Sequence, residues 1–95
     1  MDKREIAKMK RKVKALQKQI GEIGPMMRGS LVYIGTQKKR SHFSLNKDKK
    51  THLIYLGNKR EVKAKEYSDN YKKLLAIIEE MTILNMKLLK ENACL

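Results

Sequence analysis

The sequence predicts an α+β fold with an N-terminal heptad helix, a three-stranded antiparallel β-meander and a long C-terminal helix. Three observations predict it. Apolar residues recur at alternating spacings of three and four near both ends of the chain, they recur at a spacing of two in the middle, and glycines stand where the period changes. At 95 residues the chain has room for one domain (1–95), with a basic helix over 1–24, a meander over 28–58 and a helix over 62–92. A hydrophobic content of 41%, one Pro and five Gly favour a folded domain over a disordered basic tail.

The first segment carries Ile6, Met9, Val13, Leu16, Ile20 and Ile23, spaced by three, four, three, four and three. This heptad stripe predicts a helix from about Lys3 to Ile23 that packs lengthwise against another helix. Gly21 and then Gly24-Pro25 close it, because Gly weakens a helix and the residue before Pro is pushed towards extended geometry. From Ser30 the period becomes two. Ser30 to Ile34, Ser41 to Leu45 and Thr51 to Leu56 read as strands, with links at Gly35 to Arg40 and Asn46 to Lys50. Alternation groups Phe43 with Leu45 and Leu53 with Tyr55, and both apolar pairs are expected to face the long helix, leaving His52, Ile54 and Leu56 on the other side.

The long helix is expected to start between Val62 and Ser68 and to end near Asn92. Tyr67, Tyr71, Leu74, Ile78, Met81, Asn85 and Leu88 form its stripe, and Leu75, Ile77, Leu84 and Leu89 widen it until it must touch two surfaces. Ile6, Met9, Val13, Leu16, Ile20, Ile78, Met81, Asn85 and Leu88 are therefore the candidates for helix packing or for oligomerisation, with a homodimer as the expected assembly. Asn85 has a particular place among them, since a polar residue at a core heptad position fixes register or helix number at some cost in stability.

Charge is distributed unevenly. Residues 1–23 hold eight basic and three acidic side chains, residues 24–60 hold nine and one, and residues 61–95 hold six of each. The formal charge of +13 therefore belongs to the first sixty residues, and a polyanion is the partner it implies. The candidate phosphate contacts are Arg28, Lys38, Lys39, Arg40, Lys47, Lys49 and Lys50 around the meander, with Lys10, Arg11 and Lys14 on the first helix. Because meander loops fall at opposite ends of a sheet, these charges flank the strands as a track. Ring side chains in the strands, Tyr33, Phe43, His42, His52 and Tyr55, can also stack on bases when exposed, although most of them are expected in the core. The basic outer face of the first helix equally suits phosphates, an anionic lipid surface or plain solvation, and its seam lacks the Phe and Trp of membrane-surface helices.

An enzyme is not expected. There is no phosphate-cradling Gly-rich loop, no His-Glu-x-x-His pair and no serine elbow, while Glu79 and Glu80 are neighbours whose side chains diverge on a helix. A turn centred on Lys47 or Asp48 pairs residues whose numbers sum near 95, which brings His42 and His52 within reach of one another, but no third ligand accompanies them. No metal or cofactor is expected. The single cysteine, Cys94, excludes an internal disulfide.

The runs Met27-Arg28-Gly29-Ser30-Leu31, His52-Leu53-Ile54-Tyr55-Leu56-Gly57, Tyr71-Lys72-Lys73-Leu74 and Leu84-Asn85-Met86-Lys87-Leu88-Leu89 resemble a group of small prokaryotic domains of unassigned function, found mostly near mobile elements and phages. The resemblance covers about residues 20–90 and implies a helix, a short meander and a closing helix. Many of the domains it resembles carry a cysteine-rich knuckle after the first strand, where this chain has Gly35 to His42 without cysteine, so zinc is not expected there. The expected function is nucleic-acid binding, to DNA or RNA, in a phage or mobile-element setting. The alternative is a protein-interaction module, such as a phage-encoded inhibitor of the anti-CRISPR type or an accessory subunit of a nucleic-acid-guided nuclease. The start, Met1-Asp2-Lys3-Arg4-Glu5, alternates charge instead of opening an apolar signal core, and no run approaches the length of a membrane span. A cytoplasmic location, in the host cell for a phage protein, is the corresponding expectation.

Overall fold

The computed structural model describes all residues from Met1 to Leu95. Its order is α1 (Lys3–Glu22), β1 (Ser30–Ile34), β2 (Arg40–Lys47), β3 (Lys50–Tyr55) and α2 (Gly57–Lys90). The fold is α+β with one three-stranded antiparallel sheet in the order β1-β2-β3. Two compact units emerge, one from Met1–Ile23 with Lys73–Leu95 and one from Gly24–Lys72. No helix is long and apolar enough to cross a membrane.

In the first unit α1 begins where the Asp2 carboxylate accepts the Glu5 N–H at 2.9 Å, which satisfies one of the helix's free donors and places negative charge at its positive end. It lies antiparallel to the C-terminal half of α2: Met1 reaches Glu91 at 3.8 Å and Lys12 reaches Glu80 at 3.6 Å, so residue numbers rise along one helix as they fall along the other. Val13 and Leu16 are buried at the centre of the heptad stripe, and Ile6, Met9 and Ile20 are half-buried along it. The facing seam on α2 is Leu74, Ile77, Met81, Leu84 and Leu88, again spaced three, four, three, four. Leu88 is only 1% exposed. Ile78, expected in this seam, is 45% exposed, and Ile77 is half-buried in its place; either position keeps three-four spacing with Leu74 and Met81, so packing and not period separates them. Asn85 is half-buried at the seam's edge, lining a hollow with Val13 and Gln17. Asn92 in the left-handed region closes α2, with Asn92 N–H on Leu89 O and Ala93 N–H on Leu88 O.

In the second unit the first part of α2 covers one face of the sheet. Phe43, Leu56 and Ala64 form its buried cluster, with Met27 and Leu31 packed against it. Ala64 and Ser68 are small, which lets the helix approach. The segment entering β1 is bound along α2 by Met27 N–H to Tyr67 O at 3.3 Å and Asn70 Nδ2 to Pro25 O at 2.8 Å. Gly29, at φ 134°, is a requirement of close packing: a Cβ there would lie 2.6 Å from both the Phe43 ring and Ser44 O. Tyr33 Oη donates to the Glu61 carboxylate at 2.5 Å, tying β1 to α2.

Helix α2 starts at Gly57, at least five residues before the expected point. Gly57, at φ 68°, turns the chain directly from β3 into the helix, and Arg60 Nε donates to Leu56 O at 2.9 Å across the junction. The apolar period begins later because Asn58, Lys59 and Arg60 are exposed. The β2–β3 link is also tighter than expected, with Asp48 and Lys49 both at positive φ (55° and 63°), the two-residue turn that matches strand twist.

Two tests follow from this packing. Gly29→Ala adds backbone strain of ~1–3 kcal/mol and overpacking of ~1–3 kcal/mol, so at least about 2 kcal/mol in all. Thermal unfolding should show a midpoint lowered by about 8–16 °C for a chain of this size, and an unshifted midpoint would contradict the contact with Phe43. The hydrogen bond to Glu61, then burial and the carboxylate's charge, raise the Tyr33 pKa above its usual 10.0. The phenol is bound as a neutral donor, so its stabilisation is complete below that usual value and is lost as pH rises through the raised one. Ultraviolet titration should show a tyrosine ionising late, and Glu61→Gln or Tyr33→Phe should remove that late step.

Candidate nucleic-acid interface

Pairing decides which side chains share a face. Leu31 stands opposite Phe43 and Tyr33 opposite Ser41, while Phe43 stands opposite Ile54 and Leu45 opposite His52. These residues occupy the helix side. The open side carries Val32 and Ile34 from β1, Arg40, His42, Ser44 and Asn46 from β2, and Thr51, Leu53 and Tyr55 from β3. Leu53 and Tyr55 therefore do not face the helix as expected. Exposure does not distinguish the two sides of β3, where Ile54 is as open as Leu53 and Tyr55, so the register decides the assignment, and Leu56, expected on the other side, is buried in the core. The signal was present in the sequence: a two-residue turn gives an odd sum for every β2–β3 pair, so odd-numbered Phe43 and Leu45 must share a face with even-numbered residues of β3.

The open face has an aromatic centre. The His42 and Tyr55 rings meet edge to face, with centroids 5.5 Å apart and planes at 63°. His42 Nδ1 lies 3.0 Å from the Arg40 carbonyl oxygen, which can only accept, so Nδ1 carries the proton and Nε2 is left as an acceptor in the neutral ring. Thr51 Oγ1 donates to Asn46 Oδ1 at 2.8 Å and steadies the far end of the hairpin. His42 and His52 point to opposite sides of the sheet, and no group of three His, Cys, Asp or Glu side chains is placed to hold a metal ion.

Basic clusters stand at the two ends of the sheet, with the paired Lys47 and Lys50 on the side of Phe43 and Leu45. Lys38, Lys39 and Arg40 gather at one end, beside a hollow of about 320 Å³ that also touches the first residues of α2. Lys47, Lys49 and Lys50 lie at the other end, and the structure adds Arg28 to them: its Nη1 donates to Asn46 O at 3.1 Å. Antiparallel pairing explains this, since the start of β1 lies against the end of β2. Across the eight residues of β2 the clusters stand roughly 23 Å apart. All seven side chains are exposed. None of them is within ion-pair distance of a carboxylate; only Lys12 and Lys63 among the Lys and Arg side chains have such a partner.

Lys10, Arg11 and Lys14 belong to α1 in the other unit, with Arg11 and Lys14 exposed and Lys10 half-buried. The sequence identifies the basic residues and names His42 and Tyr55 among the strand rings able to stack, but it puts Leu53 and Tyr55 on the helix side, so the open face that joins them to His42 is not foreseen. Comparison with protein families, with curated proteins and with solved structures gives no match to this chain.

Proposed function

We propose that the protein binds single-stranded nucleic acid across the open face of its sheet. The observation that carries this is the edge-to-face pair of exposed Tyr55 and half-buried His42, on a sheet with a basic cluster at each end, none of whose charges lies within ion-pair distance of a carboxylate. Each part has a physical role. The clusters attract phosphates by releasing condensed counterions, and the separation between them gives room for several nucleotides. Bases splayed on the sheet stack on Tyr55 and His42 and rest against Leu53 and Ile34, which removes apolar surface from water. A duplex fits less well, since its bases are stacked inside and offer no faces to these rings. Lys10, Arg11 and Lys14 offer further phosphate contacts.

Titration of a labelled mixed-sequence single strand, followed by anisotropy at several salt concentrations, tests the proposal. If all seven charges of the sheet engage, log affinity should fall against log salt with a slope of about −5, and Lys39→Ala should reduce that slope by roughly one. Tyr55→Ala should cost ~1–3 kcal/mol, about 5- to 150-fold in affinity, while leaving the salt slope nearly unchanged. No binding at about 50 mM salt would overturn the function. Binding that ignores Tyr55→Ala and His42→Ala would leave phosphate attraction alone and overturn the stacking.

A further inference from the structure

The C-terminal half of α2 carries a second apolar stripe beside the one that packs against α1. Leu75, Ile78, Thr82, Met86 and Leu89 follow one another at helical spacing, and their Leu, Ile and Met members are between 45% and 61% exposed. No charged residue interrupts the stripe. Thr82 spends its hydroxyl inside its own helix, with Oγ1 donating to Ile78 O at 2.7 Å, so it offers a methyl group to the surface.

The stripe is also its own mirror in sequence position. Leu75 and Leu89 stand seven residues before and after Thr82, and Ile78 and Met86 stand four before and after it. A two-fold axis through Thr82 therefore matches Leu75 with Leu89, Ile78 with Met86 and Thr82 with itself when two such helices run antiparallel. Self-complementarity of this kind is what an isologous interface needs.

Charge selects the same surface. Two copies of a chain at +13 repel one another, and residues 1–23 and 24–72 are both strongly positive. Residues 73–95 hold Lys73, Lys87 and Lys90 against Glu79, Glu80 and Glu91 and are neutral. The apolar stripe lies on this neutral segment. A highly basic partner is disfavoured on the first sixty residues, whereas on this neutral segment a second copy meets no net repulsion.

We infer that two copies of the chain associate through the Leu75, Ile78, Thr82, Met86 and Leu89 stripe of α2, antiparallel, with Thr82 at the two-fold axis. The occupant of the stripe is a second copy of this chain, and the inference holds whether or not the sheet binds nucleic acid.

Sedimentation and cysteine cross-linking of the full chain test it without any ligand. The wild-type chain should sediment at twice its 11.1 kDa mass. Ile78→Lys should return it to the single-chain mass with its helical circular dichroism intact, since Ile78 is exposed within the chain, and Val62→Lys, the same charge placed off the stripe, should leave the dimer unchanged. In a Cys94→Ser background, a mixture of Ile78→Cys and Met86→Cys chains should cross-link on oxidation, and neither variant should cross-link alone. A wild-type monomer, a dimer indifferent to Ile78→Lys, or dissociation by Val62→Lys to the same degree would overturn the interface. Cross-linking of Ile78→Cys with itself would overturn the antiparallel register.

Discussion

The register of the second hairpin is the constraint on which the sheet's chemistry depends. Asp48 and Lys49 at positive φ make a turn of two residues, and a two-residue turn leaves no freedom in which strand positions pair. Phe43 is committed to the helix side by the cluster with Leu56 and Ala64. Ile54 and His52 then share that side, and Leu53 and Tyr55 turn away from it. A slip of one residue would move Tyr55 to the side of Phe43 and leave the open face without its aromatic centre. Gly29 supports the same arrangement from β1, since only a residue without Cβ leaves room for the Phe43 ring.

The basic residues are arranged so that the protein itself does not consume their charge. Lys12 and Lys63 are the only Lys or Arg side chains paired with carboxylates, and both pairs are half-exposed and contribute little to stability. The remaining charges raise the energy of the folded chain slightly by mutual repulsion. Arg28 illustrates how pairing gathers them. It precedes the Lys47-to-Lys50 turn by about twenty residues, and antiparallel pairing brings it to the same end of the sheet, fixed by the Asn46 carbonyl.

Helix α2 carries two adjacent apolar stripes, of which one is covered within the chain. Leu74, Ile77, Met81, Leu84 and Leu88 meet α1, and the stripe through Leu75, Ile78 and Leu89 remains exposed. Six hydrophobic residues are fully buried while thirteen large ones remain substantially exposed, so the chain alone leaves much of its apolar surface in water. Both stripes obey the same three-four spacing, and periodicity cannot say which one an intramolecular partner takes. Burial distinguishes them: Ile77 is covered and Ile78 is not.

The sequence by itself determined the order of elements, the extent of α1, the existence of the meander and the concentration of positive charge in the first sixty residues. These are local properties, carried by period, turn residues and composition within short windows. Only the tertiary structure decided which face of β3 is open, that Arg28 joins the Lys47–Lys50 cluster, that α2 begins at Gly57, and which of its stripes packs within the chain. Each of these depends on residues far apart in sequence meeting at one place. The parity of the turn was legible in principle, but its consequence for Tyr55 follows only once Phe43 has been committed to the core by Leu56 and Ala64, and that choice is made by packing.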